Sequence, residues 1–214
     1  MDPTRRVRKK RAYHHGDLRR SLLNAALRLV EEQGEAALTL REVARMAGVS
    51  HQAPYRHFAD RTALVAAVAE EGFRELHGEL VEKTTAAPDA LSAMRAVGVT
   101  YVLFAVARRA HFRVMFGADA AAARATSPSL HAACDAVFGT LTQAIARVQS
   151  VGADIDDPMA LALSAWSLVH GLASLLVEGQ LVRIAPGAPT DLTELITTVL
   201  RHGLALHTKV PTTK

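Results

Sequence analysis

The stretch "VSHQAPYRHFADRTAL", residues 49–64, decides how the chain is read. It opens on a turn signal and closes on an apolar helix start, and between them His51, Gln52, Tyr55, Arg56 and His57 crowd around a proline. So short an element is poor core material. Its long hydrogen-bonding side chains suit contact with something polar. Just upstream, "TLREVARMAGVS" has Thr39 and Glu42 spaced as a capping box, with Leu40, Val43, Ala44 and Ala47 lining one helix face. Gly48 ends that helix in a tight turn, and Val49 supplies an apolar plug. Ser50 is placed to cap a third helix that holds Tyr55 and ends near Phe58, with Pro54 in its first turn, where a missing N–H has no helical partner to lose. Asp60 caps a fourth helix running through Leu64, Val65, Val68, Phe73, Leu76 and Leu80.

Further upstream, Asp17 can cap a helix carrying Leu18, Leu22, Ala26, Leu29 and Val30 on one face, stopped by Gly34. Before it lies "RRVRKKR", Arg5 to Arg11, nearly all cationic. Charge separates the chain in two: residues 1–61 hold 13 Lys/Arg against 7 Asp/Glu, and the remainder holds 12 against 14, so the cationic part also carries the polar element. Two helices joined through a Gly turn to a short polar third helix make the helix-turn-helix pattern, in which the third element enters a major groove whose base edges and phosphates accept hydrogen bonds. Ser50, His51, Gln52, Ala53, Tyr55, Arg56 and His57 are the candidate reading residues.

Residues 39–68, "TLREVARMAGVSHQAPYRHFADRTALVAAV", resemble the DNA-binding domain of the TetR (tetracycline-repressor-type) regulators, with "AGVS", Tyr-x-His-Phe and the following Asp-x-x-x-Leu at that family's spacing. The resemblance implies that Thr39, Tyr55 and His57 meet backbone phosphates and that Arg41, His51, Gln52 and Ala53 lie near base edges. It also implies that Arg61 meets a phosphate where relatives usually carry Lys. Ala53 and Pro54 are small and apolar, which suits contact with a thymine methyl. The arm, with Arg8, Lys9 and Lys10 at its centre, is expected along the minor groove or the phosphates.

From Pro88 onward the pattern is a succession of apolar helices, at about 88–109, 110–117, 128–151, 157–181 and 190–207. The Ala-rich run at 120–125 is too short to count. Half of the residues are apolar and only 5% aromatic, with Ala and Leu dominant. The fold class is therefore all-α: an N-terminal three-helix helix-turn-helix domain plus a C-terminal helical domain for ligand binding and dimerisation. The expected organisation is a disordered basic arm over 1–12, the DNA-binding domain over 13–62 and a connecting helix over 63–84. A ligand-binding and dimerisation domain follows over 85–208, with a disordered tail over 209–214.

Pro158 to Val177 has no charged residue and the length of a membrane span, yet its serines, His170 and the lack of flanking basic residues argue for a helix enclosed by other helices. Its "WSLVHGLASLL" resembles the C-terminal domain of a TetR subgroup known for a Trp, His-Gly motif, here Trp166, His170 and Gly171. Trp166 and His170 share a helix face. With Tyr101, Phe104, Arg108, Phe112, Met115, Phe116 and Phe138 they are the candidate lining of a cavity for a small hydrophobic effector. Ala162, Ala165, Ala173, Leu195, Val199 and Leu204 suit the last two long helices to a homodimer.

No HExxH, GxSxG, phosphate-binding or dinucleotide motif occurs, which argues against an enzyme. The histidines lack ligand spacing, so neither metal nor cofactor is expected. Cys134, the single cysteine, has no basic neighbour at helical distance to activate it and fits a reducing compartment. With no apolar segment following the basic N-terminus, a cytoplasmic location is expected. The chain reads as a one-component regulator, a repressor of a palindromic double-stranded operator. A sequence-tolerant architectural DNA-binding protein is the alternative, and it leaves the large apolar part without a purpose.

Overall fold

The computed structural model describes residues 15–153, 155–181, 187–195 and 197–198. Among them there is no strand. The chain forms two compact units that divide after Leu64.

The first unit contains α1 (His15–Gln33), α2 (Leu40–Ala47) and the start of α3 (Arg61–Thr85). Leu22, Ala26, Leu29 and Val30 of α1 are buried, as are Leu40, Val43 and Ala44 of α2, and the two helices pack against each other. The described part of α1 runs from His15, and the side chain of Asp17, the expected cap, lies outside the described residues. At Gly34 the backbone turns to φ 81°, with its N–H on the Val30 carbonyl at 2.9 Å. One half of the expected capping box forms: Thr39 Oγ1 accepts the Glu42 N–H at 3.2 Å. The other half is replaced, because the Glu42 carboxylate pairs with Arg45 at 2.7 Å. Gly48, at φ 68° and ψ 32°, lets its own N–H reach Arg45 O at 3.2 Å while the Val49 N–H reaches Ala44 O at 3.0 Å. That pair of bonds needs a left-handed residue, which glycine supplies without steric cost.

Where a capped third α-helix was expected, the chain makes only a 3₁₀ turn, Pro54–Arg56. Proline has no N–H to give to the Ser50 carbonyl, so the i→i−4 ladder cannot start there. The Ser50 carbonyl instead accepts from Ala53 N at 2.9 Å, and Pro54 O accepts from both His57 N and Phe58 N at 2.9 Å. Pro54 and Phe58 are buried and anchor the segment. Asp60 caps α3 as expected, accepting Ala63 N at 2.8 Å.

The second unit holds the rest of α3 with α4 (Ala90–Ala107), α5 (Arg109–Phe116), α6 (Ala118–Arg124), α7 (Pro128–Ser150) and α8 (Pro158–Val177). A further helical stretch covers 189–195 and 197–198. Carboxylates and a serine start these helices: Asp89 accepts Ser92 N at 2.8 Å, Ser127 accepts Leu130 N at 3.4 Å and Asp157 accepts Ala160 N at 2.9 Å. Pro128 and Pro158 follow the last two caps, at the position where a missing N–H costs nothing. The Ala-rich run discounted above is α6, packed on α7. Both α4 and α8 are long and apolar enough to cross a membrane, and here they pack against each other.

Ala162, Ala165 and Ala173 of α8 face this interior, so they are core and not an outer packing surface. The side of α8 left open carries Ser164, Ser167, Leu168 and Leu175. Leu195 is 61% exposed, while Val199 and Leu204 lie outside the described residues.

Candidate nucleic-acid interface and ligand cavity

In the first unit, Thr39, Arg41, Ser50, His51, Gln52, Tyr55 and Arg56 are all exposed, and Ala53 and His57 are half-buried. Tyr55 leaves 54% of its surface in solvent, although an aromatic ring is normally drawn into a core. Thr39 Oγ1 accepts a backbone N–H, which leaves its hydroxyl proton to donate outward. Pro54 is buried, which corrects its assignment to a thymine methyl. Arg61 is also placed differently from expectation. Its Nε donates to Leu38 O at 2.6 Å and its Nη2 reaches Glu35 O at 3.4 Å. The guanidinium thus ties the first residue of α3 to the chain entering α2. Arg8, Lys9 and Lys10 lie outside the described residues.

The second unit holds a half-open cavity of about 740 Å³ between α4, α7 and α8, with further lining from α3, α5, α6, the loop at Ala153 and Ile155, and Thr197 and Thr198. Of the nine expected lining residues, Tyr101, Phe116, Phe138 and Trp166 form part of its wall. The other five do not. Phe104 and Met115 are core, and Phe112 sits one layer back, its ring 4.9 Å from Phe116 and 5.4 Å from His170. Arg108 turns to Glu75 at 2.8 Å and Glu79 at 3.0 Å, and lies over the Phe104 ring.

His170 stands behind the wall, with Nδ1 2.8 Å from the Tyr101 hydroxyl. Burial raises the Tyr101 pKa, against a smaller opposing pull from hydrogen bonding with Trp166, and burial lowers that of His170. Both groups therefore stay neutral near pH 7, and the phenol proton can be donated to the ring nitrogen. Trp166 lies 5.5 Å from the His170 ring, as their shared helix face requires.

The rest of the wall was not anticipated. On α4, Leu91, Met94, Arg95, Gly98 and Tyr101 recur at three- and four-residue intervals, a signal available in the sequence had aliphatic positions been weighed alongside aromatic ones. Arg124, Cys134 and Asp135 also line the space, and burial raises the thiol's pKa, which keeps it neutral. Elsewhere in this unit, donor atoms of Glu71, Glu75 and His111 lie within 4.8 Å of one another, a grouping that histidine spacing does not reveal. Glu75 there is already held by Arg108, and the buried His111 is kept neutral chiefly by desolvation.

Comparison with known proteins bears on both units. A family model described as "Bacterial regulatory proteins, tetR family" matches residues 22–68, and one described as "Tetracyclin repressor-like, C-terminal domain" matches residues 94–201. The HTH-type transcriptional regulator BetI of Rhizobium meliloti (strain 1021) is 34% identical over 95 residues, which are 44% of this chain and 42% of that relative. A solved structure of a protein with unknown function from Rhodococcus sp. RHA1 is 32% identical with a TM-score of 0.77, over 91% of this chain and 98% of that one. The TetR family transcriptional regulator PfmR from Thermus thermophilus shares the fold at 18% identity, with a TM-score of 0.65 over 84% and 97% of the two chains.

Proposed function

The chain belongs to the tetR family of DNA-binding transcriptional regulators, and from that premise we propose that it is a cytoplasmic homodimeric repressor, released from a palindromic operator by a small, largely apolar effector. The observation that carries this reading is the largely apolar cavity in the second unit, whose size matches small-ligand sites and which DNA holding alone does not call for. Exposed His51, Gln52, Tyr55 and Arg56 support base and phosphate contact by the first unit.

A short reading segment discriminates weakly, and two of them a helical repeat apart multiply the discrimination. The open side of α8 supports pairing of two copies. Its small Ser164 and Ser167 allow close approach, Leu168 and Leu175 supply apolar area, and nothing lies within 4 Å of where a Cβ on Gly171 would sit. An effector that prefers the conformer with misplaced reading segments shifts the population away from DNA. A coupling of about 1–3 kcal/mol would weaken operator binding roughly 5- to 150-fold.

The test is selection of duplexes by the purified full chain from a random pool, followed by sequencing. A palindrome with half-sites about one turn apart is expected. Recovered sequences with no common element would favour the architectural alternative, and an asymmetric site bound by one protomer would overturn the dimer.

A further inference from the structure

We propose that the cavity takes an amphipathic organic monoanion, a carboxylate on an apolar body, with the carboxylate bound by Arg124. This rests on the effector reading above and names the chemical class of that effector.

Arg124 is the last residue of α6 and lines the cavity. Its Nε is sealed from solvent and, among the described residues, has no hydrogen-bond partner. Among the described residues, the other charged groups of the wall are accounted for. Arg95 is paired with Glu194, and Asp135 is largely exposed with Oδ2 3.1 Å from His131 Nε2. The neighbouring Cys134 thiol stays neutral, so it offers Arg124 no countercharge.

With no carboxylate paired to it among the described residues, the guanidinium lacks a partner anion, and an acceptor carried by a ligand to the part of its fork that borders the cavity supplies one. Arginine's planar fork of N–H groups matches a carboxylate in particular. One uncompensated cation near the carboxylate of Asp135 suits a singly charged group better than a phosphate dianion. The remainder of the space is walled by side chains such as Phe138, Leu141, Leu161 and Val169, which supply no further charge. At about 740 Å³ it is far larger than an inorganic anion needs and falls in the range of organic-ligand sites.

Trp166 is the single tryptophan of the chain and lies on the cavity wall, so its fluorescence reports occupancy. The experiment titrates the full-length protein with decanoate, 1-decanol and decyltrimethylammonium, each below its aggregation limit, and repeats the series with Arg124→Gln and Arg124→Lys. Wild type should bind decanoate at least tenfold more tightly than decanol and should reject the cation. Arg124→Gln should lose that preference while still binding decanol, and Arg124→Lys should keep part of it. Because Arg124→Gln removes an uncompensated buried donor, it should melt at or above the wild-type temperature without ligand; an arginine with a purely structural role would lower it.

Equal wild-type affinity for decanoate and decanol overturns the proposal, even if the glutamine variant fails to fold. So does a preference that survives in Arg124→Gln. If decanol binds alone and weakens DNA binding, the carboxylate assignment falls and the effector reading stands. If none of the three probes perturbs Trp166, the assignment falls, and DNA affinity that is also indifferent to all three counts against the effector reading as well.

Discussion

Replacing Arg61 with methionine separates a residue that positions the first unit from one that grips DNA. The arginine Nε donates to Leu38 O at 2.6 Å, and Leu38 is fully buried. A hydrogen bond from a charged group contributes about 1.5–3 kcal/mol, and a carbonyl left without its partner pushes the loss toward the upper half of that range. Taking roughly 2.5 kcal/mol, and 4–8 °C per kcal/mol for a unit of this size, the variant should melt about 10–20 °C lower. The second measurement is the salt dependence of binding to a duplex selected by the wild-type protein. Each phosphate neutralised adds about 0.9 to the slope of log K against log salt, so removing one phosphate-binding cation from each protomer would flatten that slope by about 1.8. With its guanidinium occupied by backbone carbonyls, Arg61→Met should weaken binding at every salt concentration and leave the slope unchanged. Exposed Arg41, changed to methionine, is the control and should flatten it. A slope reduced by about 1.8 in Arg61→Met, with melting within about 2 °C of wild type, would refute the reasoning.

Three other outcomes are expected. Gly48→Ala puts a Cβ in open space at φ 68°, so only backbone strain is added. The roughly 1–2 kcal/mol of left-handed strain, partly offset by a less flexible unfolded chain, leaves a loss of about 1 kcal/mol in denaturant titration, and Gly48→Asn should lose less. His111 and His170 are both held below the usual histidine pKa by burial, so the unfolded chain takes their protons first. Stability should be full above about pH 6.5 and fall below it, by at most about 1.4 kcal/mol per pH unit for each histidine. Thermal melts of His111→Gln/His170→Gln between about pH 7.5 and 5 should lack that fall. Gly171→Leu on the open side of α8 should raise helix stability by roughly 1 kcal/mol while shifting sedimentation toward the monomer; an unchanged dimer would exclude this face from the interface.

Most of the helices are legible in the sequence because burial on one face leaves a three- and four-residue rhythm, and Gly34, Gly48 and Asp60 act through their immediate neighbours. The segment after Ser50 departs from expectation because a proline tolerated in a first helical turn is also one whose missing N–H can keep the α-helical ladder from starting. Arg61 misleads in a different way: its carbonyl partners lie 23 and 26 residues upstream, a distance at which local pattern is silent. The cavity is half legible for the same reason. Periodicity tells that Phe104, Phe112 and Met115 are inside, but only the way helices meet decides which interior side chains border a void. Arg124 lies in an alanine run that reads as too short to count, and the packing of α6 on α7 is what brings that segment inward.

The 3₁₀ turn at Pro54–Arg56 bears on how this protein can change its target. In a reading helix, each recognition residue must also be a passable helix former, which limits the alphabet available for new specificities. Here the shape of the segment is fixed by Pro54 and Phe58, both buried, with the part-buried carbonyl tie from Arg61 beside them. His51, Gln52, Tyr55 and Arg56 are exposed and carry no such duty to the backbone, so under the proposed reading substitutions among them redirect the protein to a different DNA word without endangering the fold that presents them.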